Sequence, residues 1–304
     1  MLDALDTFDS TMEVATRALQ WWSHELVQVN AYLTTRSSAG FPIHWDDHDV
    51  IVVQLAGAKS WDVRSHSRRV PMYRDAGLNS TASEETVWRG TMRPGDVMHI
   101  PRGYWHQATR DESQDPLSLH LTFGFVKRTG VDWLAWLADQ AREIELFRQD
   151  LTRSGSAEDR ESERERLEAA ATSLLGSYPP ASYLRSREIL QSPARQAPHF
   201  PPGELPASVV CVTEFAPEVQ RGDDTVTVYA GGKRTTVKSK AEAVLSVLLS
   251  GCPVDVLTLG DESGLDIRSL AGTLVEEGIC AHLTDESLSG FIGLVPVEPS
   301  WKPH

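Results

Sequence analysis

The stretch HWDDHDVIVVQLAGAKSWDV, residues 44–63, carries the pattern that decides the fold. Its centre, VIVVQLAG (50–57), is a nearly continuous apolar run, which is typical of a fully buried strand. A second strand-like run, KSWDVRS (59–65), follows immediately. The stretch therefore predicts neighbouring β-strands in the protein interior, with polar residues placed just before the first of them.

The surrounding sequence predicts more strands of the same kind. Turn signals rich in proline, glycine and aspartate separate these runs, and RPGD (93–96) is one of them. Many short strands with turns between them favour a β-sandwich or a barrel. We expect a helix over residues 9–25 and further strands at VQVNAYLT (27–34), DVMHIP (96–101) and LSLHLTFGF (117–125).

Two short motifs in this region predict a metal site. In a strand, His44 and Asp46 point to the same face, because side chains two positions apart share a face. The second motif, GDVMHIPRGYWH (95–106), has the spacing G-x5-P-x4-H and is similar to the second motif of cupin barrels. Together the motifs supply two imidazoles and one carboxylate, His44, Asp46 and His106, which is the facial triad of non-haem Fe(II) oxygenases.

We do not interpret the other histidines of the region as metal ligands. A single histidine in such a setting is more often a core residue than a ligand, and only the three residues together favour a metal. His48 has the same strand parity as His44, so we expect it to line the same cavity. We expect His99 and His120 to lie in the core or to support the site.

The rest of the chain differs from residues 1–130 in its sequence patterns. Helical periodicity over 133–151 and 163–175 predicts paired helices that form a dimer contact. The proline-rich stretch 191–206 is typical of a linker. Strands at SVVCVTEF (208–215) and TVTVYAGGKRTTVK (225–238), with helices at 241–251 and 266–279, favour a small α+β unit of winged-helix shape.

Composition limits the function. Among 304 residues, 29 lysines and arginines face 43 aspartates and glutamates, a net charge of −14. Such a surface repels phosphate backbones and suits a basic partner, so we expect no direct DNA binding. No apolar run has the length of about 20 residues that a membrane span needs, and we expect no secretory signal because MLDALDTFDS has no basic n-region and no apolar h-region. The three cysteines are too few and too widely spaced for a disulfide framework, so we expect a cytoplasmic protein.

The motifs together resemble the JmjC-type cupin 4 oxygenases, the family of ribosomal oxygenases. The resemblance is carried by VNAYLTTRSSAGFPIHWDDHDVIVVQLAGAKSWDV, PGDVMHIPRGYWHQA and SLHLTFGF. It implies a double-stranded β-helix (cupin/JmjC) barrel over residues 1–130. It also implies a helical dimerisation region over 131–195 and a winged-helix-like α+β domain over 196–304, and hence a homodimer.

The resemblance also implies a set of site residues. His44, Asp46 and His106 match the iron ligands of the family, and Lys59 matches the basic residue that holds the distal carboxylate of 2-oxoglutarate. Further matches to residues that bind cosubstrate or substrate are Asn30, Tyr32 and Thr122. Fe(II), 2-oxoglutarate and O₂ are the implied cofactor and cosubstrates.

The sequence is compatible with three functions. The first is hydroxylation of an arginine or histidine in a ribosomal protein, which suits the acidic surface. The second keeps the chemistry and changes the substrate: a tailoring hydroxylase that acts on a small peptide or metabolite, with histone demethylation as a weaker variant. The third is a non-catalytic cupin regulator, which the complete triad and Lys59 disfavour.

Overall fold

A computed structural model describes residues 1–35, 41–73, 79–110, 116–190, 206–292 and 294. The N-terminal part begins with a short 3₁₀ turn, Leu5–Thr7, and one long helix, and seven strands follow. These elements are α1 (Ser10–Ser23), β1 (Leu26–Thr34), β2 (Asp49–Ala56), β3 (Lys59–His66), β4 (Thr86–Met92), β5 (Val97–Ile100), β6 (Tyr104–Arg110) and β7 (Ser118–Val126). The predicted helix and five predicted strands are therefore present, and β4 and β6 are additional.

The seven strands form two antiparallel sheets. The large sheet has the order β1-β7-β2-β5 and the small sheet the order β4-β3-β6. Among the described residues no continuous ladder of hydrogen bonds joins the two sheets into a closed barrel. The cupin-type arrangement is thus present as two facing sheets, and the closed barrel that we expected is not seen.

Apolar side chains alternate along the strands and fill both faces of the large sheet. On the outer face, Met12, Ala15 and Leu19 of α1 cover a cluster that β1 and β7 provide. On the inner face, residues of β2 and β5 pack against β3 and β4. The outer cluster contains Val27, Val29, Ala31, Leu121, Phe123 and Phe125, and the inner one Val50, Val52, Trp61, Val63, Met92 and Ile100.

The middle of the chain is helical, as the periodicity predicts. The two predicted helices are present with other bounds, and a short helix and a fourth helix accompany them. The elements are α2 (Gly130–Ala141), α3 (Glu145–Arg148), α4 (Ala157–Ser177) and α5 (Pro180–Leu190). The predicted linker at 191–206 lies, except for residue 206, outside the described residues.

The C-terminal part is a small α+β unit. Two three-stranded sheets, β11-β10-β9 and β12-β8-β13, surround an apolar cluster together with helices. Its winged-helix identity stays a prediction. Its elements are β8 (Ser208–Cys211), β9 (Glu218–Arg221), β10 (Thr225–Ala230), β11 (Lys233–Lys238), α6 (Glu242–Leu248), β12 (Val254–Asp255), α7 (Val256–Ser263), α8 (Ile267–Glu276), β13 (Cys280–His282) and α9 (Asp285–Ser289), with a 3₁₀ turn at Ser239–Ala241.

Helix α1 joins the N-terminal and C-terminal parts. The indole Nε1 of Trp21 donates to the carbonyl of Thr213 at 3.0 Å, and the amide of Gln20 donates to the carbonyl of Glu214 at 3.2 Å. Val14 packs in a cluster with Val210, Val212, Ala281 and Phe291 of the C-terminal unit. One helix therefore covers the large sheet and supports the C-terminal unit at the same time.

No helix in the described parts of the chain combines the length and the apolar character that a membrane crossing requires.

The connection between β2 and β3 passes close to the residue that precedes β7. Gly57 has φ +61°, and a Cβ placed there would lie 1.9 Å from the carbonyl oxygen of Leu117. Gly95 has φ +94°, but a Cβ there would meet nothing within 4 Å. Alanine would strain the backbone at both positions because φ is positive there. Only at position 57 would its Cβ also collide with another backbone atom.

We expect Gly57→Ala to lower the free energy of unfolding by more than about 3 kcal/mol, and Gly95→Ala by about 1 kcal/mol. Urea unfolding followed by tryptophan fluorescence measures both. Equal losses for the two variants would contradict the described approach of residue 117 to the β2–β3 turn.

Candidate metal centre and cosubstrate cavity

A cavity of about 600 Å³ lies between the two sheets. Strands β1, β2 and β7 supply one wall, β3 and β6 the other, and the segment before β2 closes one side. Its walls combine apolar side chains with a few polar groups, which is typical of a small-molecule site. The lining residues used below are Tyr32, Thr34, His44, Asp46, Lys59, Trp61, His106, His120 and Thr122.

His44, Asp46 and His106 meet at this cavity. One possible ligand atom from each lies within 4.8 Å of the other two, and His106 Nε2 is 3.5 Å from Asp46 Oδ2. His44 and His106 form an isolated antiparallel bridge, in which their backbone amides donate to each other's carbonyls at 3.1 and 2.7 Å. The amide of Gly103 donates to the carbonyl of Asp46 at 2.9 Å, which fixes the second half of the motif.

The local conformation of the first motif differs from our expectation. His44 makes a single bridge, and Trp45 and Asp46 lie outside any strand. The two side chains therefore converge because backbone contacts to β6 and to the loop before it hold them, and not through strand alternation.

Two backbone carbonyls orient the imidazoles. His44 Nδ1 lies 2.9 Å from the carbonyl of Pro42, and His106 Nδ1 lies 3.1 Å from the carbonyl of Tyr104. Since a carbonyl only accepts, each Nδ1 carries the proton and each Nε2 keeps its lone pair for a metal. Burial lowers the pKa of His106 and outweighs the charge of Asp46, which acts in the opposite direction. The lowered pKa favours the neutral imidazole, the form that binds metals.

The donor set fits a divalent transition metal. Metal–nitrogen and metal–oxygen bonds of about 2.0–2.2 Å place neighbouring donor atoms about 3–4 Å apart, which agrees with the separation of His106 and Asp46. Two imidazoles and one carboxylate that leave further positions open are the ligand pattern of non-haem Fe(II) centres.

Lys59 is the first residue of β3, and its side chain lines the same cavity. It is 6% exposed, and its Nζ donates to Thr34 Oγ1 at 3.2 Å and lies 3.3 Å from His120 Nδ1. Burial lowers the pKa of Lys59 to about 8. Because a hydroxyl and an imidazole bring no negative charge, an anionic group in the cavity would be held strongly by this lysine.

His120, for which the sequence predicts a core or supporting role, is a cavity residue. It is 3% exposed, and its ring stacks on Tyr32 with centroids 4.8 Å apart and planes 3° apart. Burial, aided by the charge of Lys59, lowers the pKa of His120 to about 3, so the neutral ring accepts a hydrogen bond from Lys59. Its strand parity with Thr122 on β7 was the signal that could have placed it in the cavity.

Tyr32 and Thr122 line the cavity, whereas Asn30 and His48 do not. Those two lie in a smaller neighbouring cavity of about 300 Å³. Asn30 Oδ1 accepts from the amide of Ala4 at 2.9 Å, and the Asn30 amide contacts the Tyr32 hydroxyl. The expectation for His48 is wrong because residues 45–48 form no strand, so its parity with His44 has no meaning.

His99 is also placed differently from our expectation. Its side chain is 58% exposed and its Nε2 lies 3.3 Å from Asp49 Oδ1. It sits on the short edge strand β5, where one face remains open to solvent.

Comparison with known proteins gives the family context. The JmjC domain model matches residues 7–132. The bifunctional lysine-specific demethylase and histidyl-hydroxylase NO66 of Drosophila persimilis is 36% identical over 104 residues, which cover 34% of this chain and 15% of that protein. Ribosomal oxygenase 1 of Gallus gallus is 32% identical over 143 residues, or 46% of this chain and 24% of that protein. These matches thus span less than a quarter of the length of either relative.

Solved structures extend the likeness to most of the chain. The ribosomal oxygenase YcfD of Escherichia coli superposes with a TM-score of 0.58 at 19% identity, covering 91% of this chain and 76% of that one. A structure of the same protein in complex with cobalt and 2-oxoglutarate gives a TM-score of 0.56. At this identity the likeness concerns the fold alone. Residues 7–132 of this chain are therefore a JmjC domain, and through that domain the chain is a homologue of the ribosomal oxygenases.

Proposed function

We propose that this chain is an Fe(II)- and 2-oxoglutarate-dependent oxygenase that hydroxylates an arginine or histidine side chain of a ribosomal protein. The observation that carries the proposal is the placement of His44, Asp46, His106 and the buried Lys59 in one cavity. The names of its relatives as ribosomal oxygenases and histidyl-hydroxylases support the same reaction class.

Each side chain has a definite task in this proposal. His44, Asp46 and His106 would hold the metal as three donors of the protein, a set that leaves further coordination positions open. Lys59 binds the distal carboxylate of 2-oxoglutarate, and the hydroxyls of Tyr32, Thr34 and Thr122 supply further hydrogen bonds. Fe(II) held there would supply the redox chemistry that couples oxidation of 2-oxoglutarate by O₂, to succinate and CO₂, to insertion of the second oxygen atom into a C–H bond of the substrate.

The apolar walls contribute by excluding water. Val50, Val52, Trp61 and Ile100 line the cavity and are nearly fully buried. A dry cavity strengthens the attraction between Lys59 and a carboxylate, and it keeps water away from the reacting atoms.

We also propose the domain limits 1–130, 131–195 and 196–304, with two copies of the chain meeting through the helical region. Apolar side chains that are exposed on α2 support this, since Val131 is 58% and Leu134 54% exposed. A cytoplasmic location and the lack of DNA binding stay predictions from composition.

The first prediction concerns the metal ligands. We expect His106→Ala to weaken Co(II) binding by more than about 100-fold, because it removes one of three donor groups. Isothermal titration calorimetry measures the affinity, and His99→Ala, which removes an exposed histidine outside the cavity, is the matched control. Equal affinities for these two variants would refute the ligand assignment.

The second prediction concerns the pH dependence of cosubstrate binding. The ammonium form of Lys59 predominates below pH 8 and is lost above it, since its pKa is about 8. We therefore expect the Kd for 2-oxoglutarate in the Co(II)-loaded protein to rise up to about tenfold per pH unit above pH 8.

Lys59→Arg is the control for this measurement, because a guanidinium stays charged over the whole range. Its profile is expected to lack the steep rise, whatever its absolute affinity. Parallel profiles for wild type and Lys59→Arg would remove Lys59 from the cosubstrate site.

The third prediction concerns the reaction itself. Incubation with Fe(II), 2-oxoglutarate, O₂ and ribosomal proteins is expected to yield succinate and a protein product heavier by one oxygen atom on arginine or histidine. Mass spectrometry detects the product, with His106→Ala as the inactive control. Succinate formation without such a product would overturn the ribosomal substrate, and absence of succinate would overturn the oxygenase assignment.

A further inference from the structure

The connection between β3 and β4 lies against both metal motifs, and none of its described residues lines the cavity. Its buried Pro71 packs on Gly103 of the second motif, where an added Cβ would lie only 2.4 Å from the proline ring. The indole Nε1 of Trp45, in the first motif, donates to the backbone carbonyl of Asn79 at 2.8 Å. These contacts on either side hold the connection in place beside the candidate metal ligands.

Tyr73 brings a hydroxyl from this connection to the carboxylate of Asp46. The hydroxyl donates to Asp46 Oδ1 at 3.3 Å and accepts a hydrogen bond from the backbone of Asp47. The ring packs against Trp45, with centroids 4.9 Å apart and planes 31° apart. The carbonyl of Trp45 also lies 3.4 Å from the hydroxyl, but a charged carboxylate is the stronger acceptor for its single proton.

The two oxygens of Asp46 have different surroundings. Oδ2 lies 3.5 Å from His106 Nε2, the ring nitrogen that keeps its lone pair for a metal, whereas Oδ1 receives the hydroxyl of Tyr73. Hydrogen bonds from neighbouring groups fix the orientation of ligating carboxylates and raise metal affinity. A carboxylate that offers only Oδ2 fills one coordination position, and the second position remains open for cosubstrate or O₂.

We propose that Tyr73 is a positioning residue for Asp46, whose hydroxyl holds Oδ1 and so presents Oδ2 alone to the metal. The inference rests on the proposed function, because it takes His44, Asp46 and His106 as the metal ligands. Tyr73 does not line the cavity and acts through Asp46. The connection between β3 and β4 thereby contributes to metal affinity from outside the cavity.

The experiment measures the affinity of the full chain for Co(II) through quenching of tryptophan fluorescence. The indole of Trp61 is suited to this, since its ring centroid lies 6.3 Å from that of His106. We expect Tyr73→Phe to weaken Co(II) binding about tenfold, at the low end of the effect of such contacts because this hydrogen bond lies at the surface. The melting temperature is expected to equal that of wild type, since Tyr73 is 61% exposed and phenylalanine keeps the ring.

Tyr178→Phe is the matched control. It removes a tyrosine hydroxyl at the end of α4, outside the cavity, and is expected to change the Co(II) affinity less than twofold. Equal affinities of Tyr73→Phe and Tyr178→Phe would overturn the role of Tyr73.

A double-mutant cycle with Asp46→Ala separates positioning from a general effect on the fold. Fluorescence quenching can be followed to millimolar Co(II), so the weak affinity of a site with two imidazoles is accessible. If Tyr73 acts through Asp46, Tyr73→Phe changes the affinity less than twofold in the Asp46→Ala background. A tenfold loss in both backgrounds would mean that the hydroxyl does not act through Asp46, and it would overturn the proposal.

The same titrations distinguish failure of this inference from failure of the proposed function. If wild type does not bind Co(II), or if His106→Ala binds it as well as wild type does, the candidate metal centre and the function built on it are refuted. If wild type binds Co(II), His106→Ala loses it and Tyr73→Phe equals wild type, only the role of Tyr73 is refuted.

Discussion

Two backbone hydrogen bonds between His44 and His106 hold the candidate site together. They attach the segment before β2 to β6, although β2 itself belongs to the other sheet. As a result the two imidazoles lie side by side, with ring centroids 4.3 Å apart, and Asp46 follows within reach. The carbonyls of Pro42 and Tyr104, which orient the rings, come from the same two segments. This bridge and the hydrogen bond from the amide of Gly103 to the carbonyl of Asp46 therefore fix the backbone positions of the three donors.

The candidate metal site and the candidate cosubstrate site are built on different principles. The two imidazoles of the triad are oriented by backbone carbonyls, and the Tyr73 hydroxyl donates to Asp46 Oδ1 at 3.3 Å. Lys59 is instead a buried cation whose contacts are a hydroxyl and a neutral imidazole. Such a group is unfavourable in the free protein and becomes favourable when an anion arrives, which is the behaviour expected of a binding residue.

Much of this arrangement follows from local sequence patterns. The family resemblance indicated Tyr32 and Thr122 as cavity residues, and the two motifs brought together residues 62 positions apart. Strand parity failed for His48, because the segment after His44 is held by contacts with Gly103 and His106 and is not a strand. Strand β4 was missed because most of its side chains are exposed, so it lacks the alternation that identifies a strand. Whether the sheets close into a barrel depends on contacts between strands that are distant in sequence. Local sequence patterns do not predict such contacts.

The central claim is that one cavity holds a metal at His44, Asp46 and His106 and a dicarboxylate at Lys59. A crystal of the protein grown with Co(II) and 2-oxoglutarate tests it most directly, through anomalous scattering at the cobalt edge. The account predicts a single strong peak between the three side chains, and 2-oxoglutarate density that runs from the metal to Lys59 Nζ. A peak elsewhere, or a bound 2-oxoglutarate that does not contact Lys59, would contradict it.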